Sequence, residues 1–159
     1  MIKIIKKKLL FIILTLTQVI LAHEQKIEAL NIAIANNDRA LFARIIKDKP
    51  DLNIKTSNLI HPTHPLFNAI FFGRVDMTQK LLENGADVNF KDYCGASAFD
   101  CTKHMISGSR LDKLEIIKLL VIAQEAKIAD LNLELEKIKS AKLKIIGIGS
   151  ITISNYKKL

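Results

Sequence analysis

Through the middle of the chain the apolar residues fall three or four apart in short runs. Leu30 and Ala33, Leu41 and Ile45, Leu66 and Ala69, and Met77 and Leu81 each share one face of a predicted helix. Turn residues separate the runs. In LLENGADVNFKD, residues 81–92, a leucine pair ends at Asn84-Gly85, and Ala86-Asp87-Val88-Asn89 carries the chain onward. Gly85 suits a helix end because glycine adopts left-handed backbone without strain. Gly73 and Asn37 fall between paired helices, where a left-handed residue reverses the chain. Pro65 fits the first turn of a helix, where its missing N–H costs nothing. Ser97 and Asp100 have the spacing of a capping box.

The pattern recurs. Residues 45–53 match residues 81–89 at an offset of 36, and both blocks end Asp-apolar-Asn. The same offset pairs Leu30 with Leu66, Ala33 with Ala69, Asn37 with Gly73 and Leu41 with Met77. In a third copy Phe99 sits 33 residues after Leu66, and the register slips beyond Thr102. There Glu115–Leu120 fits Asp76–Leu81 only with six extra residues around Ser107-Gly108-Ser109. Each unit reads as helix, tight turn, helix, loop. One such pair cannot bury both faces, so the units must stack, and three copies are about the minimum.

The unit His64-Pro65-Leu66, Ala69, Gly73, Leu81-Leu82, Gly85-Ala86-Asp87-Val88-Asn89 resembles the ankyrin repeat, whose pattern runs T-P-L-H-x-A-A, an inter-helix glycine, L-L and G-A-D-V-N. Residues 57–91 follow it closely. Residues 24–56 are similar to an N-terminal capping copy, and 92–124 to a degenerate C-terminal one. Departures are His64 for Thr, Phe67 for His, Thr102 for a small Ala, and a loop at 54–63 three residues longer. The resemblance implies an all-α ankyrin-repeat solenoid over residues 23–124 with a C-terminal helical extension. It also implies protein binding on the concave surface, without cofactor or catalysis. On that pattern the contact candidates are Asn58 and His61 in the loop, Phe67, Phe71 and Arg74 on the inner helix, and Phe90, Lys91, Asp92 and Tyr93 at the turn. Phe67 and Phe71 have a competing use, packing between repeats.

The two ends read differently. Residues 1–22 join a lysine cluster to an apolar run, Leu9 to Ala22, with a small residue last, which is the pattern of a secretory signal peptide cleaved after Ala22. The alternatives are an uncleaved membrane anchor or a buried first helix. The run is 14 residues, diluted by Thr15, Thr17 and Gln18, against about 20 needed to span a bilayer. From Leu111 to about Lys144 there is no proline or glycine, so residues 125–159 form a helical extension and an apolar tail. Ile117, Val121, Ile128, Leu131, Leu135, Ile138 and Ile145 follow a seven-residue pattern, interrupted by Gln124 and Lys142. This helix either folds back as a cap on the last repeat or pairs with a second copy, making a homodimer.

Composition narrows the function. The chain has 159 residues, 49% hydrophobic, with aromatics at 6% and no tryptophan, so leucine, isoleucine and alanine must fill one helical core. The net charge of +8 falls to +4 once the four lysines of the first eight residues are set aside, leaving 20 basic and 16 acidic groups. No basic cluster interleaves with aromatics, so nucleic acid is not an expected partner. His61 lies 33 residues before Cys94, one repeat apart. Stacked repeats stand roughly 10 Å apart and zinc ligands roughly 2.0–2.3 Å from their metal, so no metal site is expected. Cys94 and Cys101 are either two free thiols or a disulfide. Gly-rich phosphate loops, G-x-S-x-G and H-E-x-x-H are missing, so no catalytic residue or cofactor is expected. The expected function is an exported, periplasmic or secreted module that binds a protein partner, in a composition rich in Ile, Lys and Asn that suits an AT-rich bacterial genome. The alternative is a membrane-anchored assembly protein that self-associates through its C-terminal helix.

Overall fold

The computed structural model describes residues 2–54, 64–92 and 94–145, and every regular element among them is helical. The helices are α1 (Ile2–Ala35), α2 (Arg39–Lys47), α3 (Pro65–Phe71), α4 (Val75–Glu83), α5 (Ala98–Cys101), continued by a 3-10 turn at Thr102–His104, and α6 (Arg110–Ile145). They form two compact units, residues 1–121 and 122–159. In the first unit α3 packs against α1 on one side and α5 on the other, while α2 and α4 pack behind α1 and α3. The core runs along this row, through Ile27, Leu30 and Ile34 of α1, Leu66, Phe67 and Ile70 of α3, and Met77 and Leu81 of α4. Ile116 and Leu120 of α6, both fully buried, complete it from the outer layer of the third repeat.

The offset of 36 is written into the backbone as well as the side chains. Asn37 (φ 56°) and Gly73 (φ 62°) are both left-handed, and so are Lys49 (φ 49°) and Gly85 (φ 91°). Each marks the end of a helix. The Asp38 and Arg74 amides donate to the Ala33 and Ala69 carbonyls, each at 2.8 Å, closing the same C-terminal motif on α1 and α3. Asp38 then caps α2, its carboxylate accepting from the Leu41 amide at 2.9 Å. Pro65 stands at the first turn of α3, and Ser97 and Asp100 form the expected capping box on α5.

One expectation needs correction. The third repeat does not build a full inner helix: α5 is four residues long and tightens into the 3-10 turn at Thr102. Thr102 is buried where the pattern wants a small residue, and its hydroxyl donates back to the Phe99 carbonyl at 2.8 Å. α6 is unbroken from Arg110 to Ile145, as a stretch without proline or glycine predicts. Ile128, Leu131, Leu135 and Ile138 stand 48–59% exposed along it. Residues 55–63 of the longer loop and the tail from 146 lie outside the described residues.

The six extra residues of the third repeat have a definite place. Ile106 donates to the Phe71 carbonyl at 3.0 Å and the Ser107 hydroxyl to the Phe72 carbonyl at 2.5 Å. The insertion therefore lies directly on the Gly73 turn. A Cβ at Gly73 would collide with the Ser107 carbonyl, whereas one at Gly85 would meet nothing within 4 Å. Both glycines carry positive φ, which costs an alanine roughly 1–2 kcal/mol. Gly73→Ala is expected to destabilise the fold by more than Gly85→Ala, measured by urea unfolding, because only the first also displaces the insertion.

Candidate functional site

The turn that joins the first two repeats is held by one side chain. The Asn53 amide donates to the Gly85 carbonyl at 3.0 Å and its oxygen accepts from the Asp87 amide at 2.7 Å, so it reads the next turn in both directions. Each Asp-apolar-Asn segment is also braced internally, since the Asn53 and Asn89 amides donate to Asp51 and Asp87, each at 3.0 Å. Asn89 has the same sequence position as Asn53, but α6 runs on through the place where the next helix-ending turn would receive it. Arg74 provides a second tie between repeats. Its guanidinium donates to the Ile34 carbonyl at 3.3 Å and the Ala35 carbonyl at 3.1 Å, at the C-terminal end of α1, where a cation also faces the negative pole of the helix. The ion pair Arg39–Asp76, 3.1 Å, joins α2 to α4 at the surface, where such pairs add little.

The inner face carries an aromatic stack. His64 lies flat on Phe90, ring centroids 4.0 Å apart, and meets Phe67 at 5.2 Å, while Phe67 and Phe90 contact edge-on at 6.0 Å. Phe67 and His64 are each 1% exposed. Neither imidazole nitrogen has a hydrogen-bond partner among the described residues. Burial pushes the His64 imidazole down to about 4, against the pull of the Asp87 and Asp51 carboxylates. It is therefore held neutral and used as an aromatic plate, tying the turn tip at Phe90 to the start of α3.

Two further titratable groups in the third repeat are shifted by their surroundings. Lys103 and Ser97 hold the Asp100 carboxyl far below the usual carboxylate range. Burial pushes the Cys101 thiol up to about 11, with Asp92 and Asp100 adding to it, which keeps it protonated and poorly nucleophilic. Cys94 and Cys101 are free thiols. Among the described residues no group of His, Cys, Asp and Glu could hold a metal.

The nine sequence candidates therefore fall into different roles. Asn58, His61 and Tyr93 lie outside the described residues. Phe67 packs between repeats, and Arg74 spends its guanidinium on α1. Asp92 shapes its own turn, accepting from the Cys94 and Ala96 amides at 2.8 and 2.7 Å. Phe90 is half-buried in the stack. Lys91 is exposed at the tip, and Phe71 is half-buried at the end of α3, edge-on to Phe72 at 5.4 Å. Sequence reasoning marked Asn53 only as a repeat landmark; its place at the end of a block that recurs 36 residues later was the signal for a joint.

Paired helices in register, left-handed joints 36 residues apart and side-chain ties between successive repeats define a helical repeat scaffold. Residues 63–93 match the family model of the ankyrin repeat, and the fold is an all-α ankyrin-repeat solenoid. Among solved structures the chain is similar to the ankyrin repeat domain of Bcl-3, described as a unique member of the IkappaB protein family. The two share 23% identity and a TM-score of 0.48, over 59% of this chain and 38% of that one. The chain thus spans well under half the length of that relative. No curated protein matches it.

Two outcomes follow from this geometry. Asn53→Ala is expected to cost about 1–2 kcal/mol, since it leaves the Gly85 carbonyl and Asp87 amide without their protein partner, whereas Asn89→Ala is expected to be nearly neutral. Because the folded state binds a proton at His64 less readily than the unfolded chain, stability is retained above about pH 6.5 and falls as pH drops toward about 4. The loss is on the order of 3 kcal/mol at most. Urea unfolding at pH 7 and pH 4.5 checks it, and His64→Leu is expected to flatten the difference.

Proposed function

We propose that the chain is an exported, non-catalytic module that binds a protein partner through the concave side of its repeat stack. The observation that carries the export half is where packing begins on α1. Residues 5–22 are exposed without exception, apolar ones included, with Phe11 and Val19 each at 67%. From His23 onward the same helix joins the fold. The His23 imidazole accepts from the Asp51 amide at 3.2 Å, Lys26 pairs with Asp48 at 2.9 Å, and Ile27 and Leu30 are fully buried. A cut after Ala22 would remove the bare apolar segment and leave every one of these contacts in place. The binding half rests on the ankyrin match and on the side chains of Lys91, exposed at the tip, and Phe71, which touches only its neighbour Phe72 among the ring contacts of the described residues.

A second reading has the first helix retained and the chain acting as an assembly protein at a membrane, its copies joined through α6. The exposed apolar positions along α6 favour the joining of copies. No helix among the described residues is long and apolar enough to cross a membrane, which gives the anchoring part less support.

Mass spectrometry of the chain recovered after expression separates the two: export predicts a chain beginning at His23, and an intact chain in the membrane fraction contradicts it. A chain of residues 23–159 is expected to keep the stability of the whole to within about 1 kcal/mol, because the removed residues bury nothing in the repeats. Partner capture is expected to drop on the order of tenfold for a Phe71→Ala/Lys91→Glu variant that still folds. Undiminished capture would place the partner elsewhere.

A further inference from the structure

The exposed seam of α6 has a symmetry that neither the repeat pattern nor the fold requires. Centred on Leu133, Leu131 and Leu135 stand two residues to either side, Ile128 and Ile138 five, and Gln124 and Lys142 nine. Leucine thus mirrors leucine, isoleucine mirrors isoleucine, and the two polar interruptions mirror each other. The four apolar positions are 52%, 57%, 48% and 59% exposed in chain order, too much apolar surface on one stripe to be left in water without reason. Their spacing of three, four and three residues is that of alternating coiled-coil seam positions, and the helix carrying them is unbroken.

We infer that residues 124–142 of α6 pair with the same segment of a second copy in antiparallel orientation, about a two-fold axis beside Leu133. This rests on the reading of α6 as the element that joins copies, and adds its partner, direction and register. A two-fold contact sets a surface against itself reversed, so a palindromic seam is self-complementary only when the helices run in opposite directions. In that register each Leu131 meets the other copy's Leu135 and each Ile128 meets Ile138. Gln124 faces Lys142, so the ammonium finds an amide oxygen rather than a second ammonium. A parallel pair in register would instead press Lys142 against Lys142 inside the seam, a like-charge contact with water excluded. Glu125 also comes beside Lys139 of the other copy along one edge. On the other edge Glu134 approaches its own equivalent, the one unfavourable contact of the arrangement. The interface is short, four apolar layers closed by a polar layer at each end, so the dimer forms at high concentration and dissociates on dilution.

The test is sedimentation of the full chain over a wide concentration range, followed by cross-linking. Reversible dimerisation is expected, weakened on the order of tenfold or more by Leu135→Asp. Leu133→Asp, at 57% exposure but off the seam, is expected to leave it intact. Glu134→Gln is expected to tighten the dimer, where a parallel pair would be weakened by losing a Glu134–Lys139 contact. In a background with Cys94→Ser and Cys101→Ser, mild oxidation is expected to link Gln124→Cys/Lys142→Cys chains into dimers, and Gln124→Cys chains not at all. A chain that stays monomeric throughout, or a dimer that survives Leu135→Asp, overturns self-association through this seam. A dimer that cross-links through Gln124→Cys alone keeps the self-association and overturns the antiparallel register.

Discussion

A helix pair of this size has two apolar faces and can cover only one of them by itself; everything else in residues 23–121 follows from that shortage. α3 shows it most plainly, with Leu66, Phe67, Ala69 and Ile70 all buried although the helix has seven residues. Such a helix has too few residues to persist alone and too little polar surface to face water. It is stable because α1 lies on one side of it and α5 on the other. The stacking distance is then enforced by small, directional contacts: Asn53 reading the turn of the next repeat, Arg74 reaching back to the end of α1, and the insertion at Ser107 seated on Gly73.

The same contacts explain why the candidate face is narrower than a list of its residues suggests. Aromatic and charged side chains on a concave surface look available for a partner, yet most of those here hold the stack together. His64, Phe67 and Phe90 form one plate between the turn tip and the inner helix, and Asp92 folds its own loop. Lys91, exposed at the tip, and Phe71, half-buried at the end of α3, take no part in that plate.

Much of this was legible in the sequence because the repeat states its rules twice. The left-handed joint is Asn37 once and Gly73 once, and the helix-ending turn is Lys49-Pro50 once and Gly85-Ala86 once. Agreement between two copies exposes what each position must do. The third copy was less legible for the same reason. Its departures have no second instance to average against, so the shortening of α5 at Thr102 and the docking of Ser107 on Gly73 appear only in three dimensions. The site was the least legible part. Sequence marks which side chains could reach a partner, while their hydrogen bonds and stacking decide which are free to do so. The unbroken run of α6, by contrast, was legible, because no proline or glycine interrupts residues 111–144.

These hairpins of helix can shield their apolar faces only by lying against one another. Amide hydrogen exchange of residues 65–83, measured in the whole chain and in a chain lacking residues 1–53, tests it directly. Strong protection of α3 and α4 in the first and near-complete loss in the second is the predicted result. Protection that survives without the first repeat would mean the second hairpin is stable by itself, and the stacked solenoid would no longer explain the fold.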